Sequence, residues 1–245
     1  MRSEKKRLNS IDTLRGLTMI SMIIYHFCWD LKYINGFDMS WYVEFPSYVW
    51  QQSICWSFIL ISGFCIHLSK RPVINGLIVF LCGVIVSCVT VIFIPEAAVM
   101  FGILTFMGSA MILTCLGKKT FDRIDPVAGF AVSAILFCLF KNVNRGYIQL
   151  ITFKLELPSF LYKGLPMTYL GFKADDFTST DYFSLIPWIF LFLAGFFAYG
   201  LLKDLSHKKI FDIKLPFVTW FGRYSLIVYM LHQPVLYGIS MLIRK

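Results

Sequence analysis

Apolar runs of about twenty residues, broken by short polar blocks, recur along the whole chain, and about twenty apolar residues is the length a helix needs to cross a bilayer core. Seven stretches meet that need, at 12–33, 48–69, 73–94, 98–117, 125–141, 185–203 and 216–242. The pattern predicts an all-α fold, a polytopic transmembrane helical bundle of about seven spans, read as a single membrane-embedded domain over 1–245. The stretch 142–184 changes character, mixing Gly, Pro, aromatic and charged residues, and is the one long non-spanning segment. A loop of this length is usually functional or disordered, and its aromatic density argues against disorder. Within it, Tyr147 to Leu161 has an alternative reading as an interfacial or re-entrant helix. An eighth span there would invert everything that follows and place the basic block at 203–214 outside.

Composition fits the pattern. With 58% hydrophobic, 18% aromatic and 15% charged residues, an ordinary soluble fold is excluded. The net charge of +9 does not point to nucleic acid, because Lys and Arg stand in short blocks between apolar runs. Arg2, Lys5, Lys6 and Arg7, then Lys70 and Arg71, then Lys118, Lys119 and Arg123, then Lys203, Lys208, Lys209 and Lys214 all fall on the same side as the N-terminus, and the short loops of the other side are poor in Lys and Arg. The positive-inside rule therefore puts the N-terminus in the cytoplasm. The first apolar run is long, holds Arg15 and lacks a small-residue cleavage site, so it is not read as a signal peptide. All seven cysteines lie in predicted spans with no CxxC, and they read as small apolar residues rather than metal ligands or paired thiols.

The first span carries ionisable residues that a lipid-facing helix does not need. At about 100° per residue, Asp12, Arg15, Met19, Met22, His26, Asp30 and Tyr33 share one stripe. Asp12 and Arg15 are spaced to neutralise each other, and His26 and Asp30 are spaced to meet. Intramembrane ionisable groups are costly and mark functional sites by default. Cys28 points about 200° away from His26 and takes no part. In the last span, Ser225, Tyr229 and His232 share a face, and Pro234 frees a backbone carbonyl. His67 sits at the basic end of the second span and reads as an interfacial residue. Gly102, Gly108, Ser109 and Ala110 in the fourth span read as a face for close helix packing.

A membrane-embedded His near an Asp, with no P-loop, GxGxxG or HExxH motif, suits general-base catalysis: the imidazole takes a proton from an attacking hydroxyl or amine. Arg15 lies about 16 Å along the helix from His26, a span that suits a coenzyme A thioester held at one end and reacting at the other.

The blocks IDTLRGLTMISMIIYHFCWDL, FILISGFCIHLS, FGILTFMGSAMIL, FTSTDYFSLIPWIFLFLAGFFAYG and FGRYSLIVYMLHQPVL resemble a bacterial membrane family. It is the family related to the catalytic domain of heparan-α-glucosaminide N-acetyltransferase, within the transmembrane acyltransferase superfamily. The resemblance covers nearly the whole chain. It implies transfer of an acetyl or other acyl group from acetyl-CoA, or another acyl-CoA, to a glycan or amino sugar, without a metal, in the bacterial inner membrane. On it, Asp12, Arg15 and Gly16 match the opening motif and would bind the donor. His26 and Asp30 match the intramembrane catalytic pair, with Asp30 orienting the His26 ring. Asp181, Pro187 and Trp188 match the DY-x-x-x-x-PW block, and Asp181, Trp188 and His232 would serve the acceptor side. Relatives often carry a His where this chain has Thr105. The lysosomal enzyme is longer and differs around the position of His26, so its glycosaminoglycan substrate is not carried over.

Two other classes compete. The same His, Asp and Arg would serve as a proton relay in a proton-coupled transporter or flippase for an envelope precursor, or the polar seam would serve assembly in a small membrane partner protein. The oligomeric state, a homo-oligomer included, stays open.

Overall fold

The computed structural model describes residues 8–150, 153–203 and 212–243. The chain is mostly helical: α1 (Asn9–Tyr33), α2 (Phe45–Cys65), α3 (Pro72–Phe93), α4 (Ile103–Phe121), α5 (Pro126–Phe140), α6 (Leu165–Leu170), α7 (Leu185–Leu202), α8 (Pro216–Arg223) and α9 (Ser225–Ile243). Four helical stretches are long and apolar enough to cross a membrane, Pro72–Phe93, Pro126–Arg145, Leu185–Leu202 and Ser225–Ile243. The basic blocks from Arg2 to Arg7 and at Lys208 and Lys209 lie outside the described residues.

Three expectations need correction. The seventh apolar run is two helices, because Tyr224 leaves the helical well at φ −105° and ψ 24° between α8 and α9. A hydropathy window averages over such a one-residue break. The fourth helix begins at Ile103 rather than near 98, after Phe101 turns to a φ of +56°. The alternative helix at Tyr147 to Leu161 is instead an antiparallel hairpin, β1 (Tyr147–Leu150) paired with β2 (Phe153–Glu156), followed by a short 3-10 turn at Ser159–Leu161. Alternation wins there: Tyr147, Gln149, Lys154 and Glu156 break the apolar run at a period a strand can use.

Two compact units emerge from the contacts, residues 1–61 with 203–245, and residues 62–202. In the second unit α3 packs on α4 and α5 on α7 through small residues. A side chain at Gly83 would strike the backbone of Thr105, one at Gly108 the backbone of Phe80, and one at Gly129 the ring of Phe197. The small-residue face expected on α4 is therefore a helix contact.

In the first unit α1 lies against α8 and α9. Two glycines set the approach: a Cβ at Gly16 would meet the Val218 carbonyl, and one at Gly222 the Asp12 carbonyl. With the backbones this close, short polar side chains reach across. Thr13 and Thr219 hydroxyls lie 2.8 Å apart, and Thr13 Oγ1 also donates to the Ile213 carbonyl at 3.1 Å. At the other end Asn35 Nδ2 donates to the Ser240 carbonyl at 2.8 Å and Ser240 Oγ to Asn35 Oδ1 at 3.1 Å. Between them Met19, Met22 and Ile54 form a buried cluster with Phe221, Val228 and Tyr229 packed on it. Tyr33 departs from the expected stripe; it is 53% exposed and stacks beside Trp29.

Overpacking of this contact has a measurable outcome. Gly222→Val is expected to lower the melting temperature of the detergent-purified protein, by a destabilisation of about 1–3 kcal/mol. Gly238→Ala, inside α9 where an added Cβ meets nothing within 4 Å, is expected to keep or raise it.

Candidate active site

The polar stripe of α1 resolves into two clusters in the first unit. Near the start of the helix, Asp12 is buried between two guanidinium groups. Arg15 Nη1 lies 3.5 Å from its Oδ1 and Arg223 Nε lies 3.6 Å from its Oδ2. Arg15 also reaches the Gly222 carbonyl at 3.4 Å, and Arg223 donates to Asn9 Oδ1 at 3.2 Å. The expected Asp12 and Arg15 pair is present, and Arg223 joins it. Arg223 was legible as the one Arg inside the apolar run at 216–242, which is the signal that singled out Arg15. Gly16 is occupied by the Val218 backbone, so its place here is helix packing.

Farther along α1, the rings of His26 and His232 lie 5.0 Å apart, centroid to centroid, at 59°. His26 also makes an edge contact with Tyr25, whose ring packs on Trp50. His232 Nδ1 meets the Tyr229 carbonyl, which can only accept, so Nδ1 carries the hydrogen and Nε2 of the neutral ring is a lone pair. That Nε2 is buried and has no partner. An open apolar groove of about 380 Å³ runs along this part of α8 and α9, with Ile23, Phe221, Val228, Leu231, His232 and Leu236 among its lining residues.

Asp30 is fully buried, yet no hydrogen bond joins it to His26. Its Oδ1 accepts from Gln233 Nε2 at 3.0 Å. The expected orienting contact to His26 is therefore replaced by one to α9. Gln233 follows His232 directly in an apolar helix, and its amide was the overlooked signal.

Asp181 and Trp188 belong to the second unit and both serve its packing. Asp181 Oδ2 accepts the Ile103 N–H at 3.0 Å, so its carboxyl takes up the open first turn of α4. Trp188 packs on Phe183 at 4.9 Å and Phe137 at 5.5 Å. Thr105 is buried on α4, its hydroxyl donating to the Gly102 carbonyl at 2.7 Å, and Gly83 closes on its backbone. His67 is half-buried: it stacks on Tyr199 at 4.4 Å and 10°, with Lys118 Nζ 3.5 Å from its Nδ1. Among the described residues, no group of three or more His, Cys, Asp or Glu is placed to hold a metal.

Four apolar helices long enough to cross a membrane, with a pair of imidazoles and a partly buried guanidinium cluster among the described residues, define an integral membrane protein. The family model for the heparan-alpha-glucosaminide N-acetyltransferase catalytic domain matches residues 7–234, and the chain belongs to that membrane acetyltransferase family. No curated protein and no solved structure matches it.

Desolvation pushes the Asp181 carboxyl up to about 6, partly offset by the Ile103 N–H. A carboxyl raised on folding holds its proton more tightly in the native state, so its stabilisation is complete below the ordinary Asp value of about 4 and is lost as pH climbs through about 6. Asp181→Asn keeps an acceptor for Ile103 and removes the titration. The expected outcome is a melting temperature that falls between about pH 4 and 7 in the wild type and falls less in the Asn variant.

Proposed function

We propose that the protein is an acyl-CoA-dependent acetyltransferase, or acyltransferase, acting on a glycan or amino-sugar acceptor from within the bacterial inner membrane. The observation that carries this reading is the pairing of the His26 and His232 rings in a chain of this family. The helices at Asn9–Tyr33, Phe45–Cys65 and Ile103–Phe121 would join the four apolar ones as about seven spans, with a cytoplasmic N-terminus.

His26 acts as general base, taking the proton of the acceptor hydroxyl or amine as that atom bonds to the acyl carbon. As the carbon–sulfur bond of the thioester breaks, His26 returns the proton to the departing thiolate, and the protons balance. His232 stands beside it with a lone pair at Nε2, able to share the imidazolium proton. Arg15 and Arg223 hold the donor's phosphates, and Asp12 holds the two guanidiniums in place. Eleven residues of helix, about 16 Å, separate Arg15 from His26, a distance that suits an extended pantetheine arm. The open apolar groove that His232 helps to line is a surface on which an acyl group would rest.

The reading is tested with radiolabelled acetyl-CoA, purified protein and a mixture of amino sugars and envelope glycans. Wild type is expected to label an acceptor, and His26→Ala to lose at least about a hundredfold of that rate. Arg223→Gln is expected to raise the half-saturating acetyl-CoA concentration about tenfold, one charged hydrogen-bonding group's worth. A wild-type protein that neither binds nor consumes acetyl-CoA would turn the histidine pair over to proton-coupled transport.

A further inference from the structure

Two buried acceptor atoms in the first unit have no hydrogen to accept, and they belong to side chains that already touch. Asp30 Oδ2 and Gln233 Oε1 both lack a partner. The same two residues are joined by Gln233 Nε2 donating to Asp30 Oδ1 at 3.0 Å. A carboxyl and a primary amide are both planar, and each carries two polar atoms on one carbon. If the N–H on that carboxyl oxygen is the one syn to the amide carbonyl, the carbonyl is turned toward the other carboxyl oxygen. One further hydrogen, placed between Oδ2 and Oε1, satisfies both unpartnered atoms and closes a ring of two hydrogen bonds. Gln233 has no such hydrogen to give from its carbonyl, so the carboxyl must supply it.

The surroundings agree. Asp30 is 0% exposed. Among the described residues no cation pairs with it, the ion pairs lying at Asp12, Asp122 and Glu156. On α1, Lys32 is the nearest cation in sequence, and its Nζ donates to the Met39 carbonyl at 2.9 Å. The nearest groups able to carry a positive charge besides Lys32 are His26, one turn earlier on α1, and His232, beside Gln233 on α9; Cys28, Tyr33, Tyr229 and Tyr237, also close in sequence, supply no cation. A carboxylate buried without a cation is among the most costly groups in a protein interior, and it takes up a proton instead.

We infer that Asp30 is held as the neutral carboxylic acid and closes a two-hydrogen-bond ring with the Gln233 amide, locking α1 to α9 one helical turn beyond the histidine pair. Asp30 is then a positioning residue, and Gln233 is its partner. This role stands whether or not the acetyl-transfer reading holds, because it concerns the carboxyl and the amide alone.

The test uses the full-length protein in detergent at neutral pH, with two readouts that need no turnover. Infrared difference spectra, wild type minus Asp30→Asn, isolate the one carboxyl among the 14 acidic residues. A carboxylic-acid C=O band is expected in the wild type. In Gln233→Leu it is expected to move to higher frequency, as the acid loses its amide partner. Melting temperatures supply the second readout. Asp30→Asn presents Gln233 with one N–H and one acceptor as the acid does, and adds a second N–H outside the ring, so it is expected to melt clearly closer to wild type than the leucine variants. Asp30→Leu and Gln233→Leu are expected to melt several degrees lower. A wild type with only a carboxylate band at this position, or an Asn variant as damaged as the Leu variant, would overturn the ring. Absence of acetyl transfer in the same preparation would bear on the enzyme reading and leave these two readouts to decide the pairing.

Discussion

Polar groups inside an apolar helix must find partners within the protein, because lipid supplies none. That constraint organises the first unit. Five polar residues of α1 and its C-terminal end find partners on α8 and α9: Asp12 with Arg223, Thr13 with Thr219, His26 with His232, Asp30 with Gln233, Asn35 with Ser240. Gly16 and Gly222 make the short contacts feasible, since threonine and aspartate reach across only when backbones nearly touch. The break at Tyr224 separates the helix that carries the first two partners from the helix that carries the rest.

The character of these pairs changes along the helix. Where the stripe starts, Arg15 and Arg223 keep 21% and 35% of their side chains exposed, and the contacts are ionic. Deeper in, the contacts are between imidazoles and between a carboxyl and an amide, with Asp30 and His232 buried. The ordering follows the cost of charge: ion pairs sit where water still screens and solvates them, neutral donors and acceptors where it does not. It also divides labour between a place that suits an anionic donor and a place that suits proton transfer.

Much of this was legible in residue spacing. The stripe on α1 follows from a helical period and from the rarity of ionisable residues in apolar runs, and so does the expectation that Asp12 and Arg15 pair. What spacing on one helix cannot reveal is the partner across the interface. His26 and Asp30 are four apart and able to meet, yet Asp30 found a better match in an amide on α9. Arg223 and Gln233 carried the same signal as Arg15 and His232 and were overlooked because each stood beside a more conspicuous neighbour. Asp181 and Trp188 look like acceptor chemistry as residue types, but helix capping and aromatic packing use the same residues. The hairpin at 147–156 was hidden because four-residue strands rich in Tyr, Ile, Phe and Leu resemble a short apolar helix in composition.

Under the proposed acetyl transfer, a second histidine in place of a carboxylate beside the base would change what the site must endure during turnover. A carboxylate partner would have to stay ionised in a dry interior between cycles, at the full cost of a buried charge. His232 instead waits as a neutral ring, its tautomer fixed by the Tyr229 carbonyl and its Nε2 open. Charge then develops only while His26 holds the proton, and it is gone once the thiolate has taken that proton back. A thioester asks little of its base, since the thiolate is a good leaving group and the acyl carbon is already electrophilic. Under the acetyl-transfer reading, a neutral histidine pair is therefore sufficient chemistry, and it spares the first unit a permanent intramembrane ion at the level of His26.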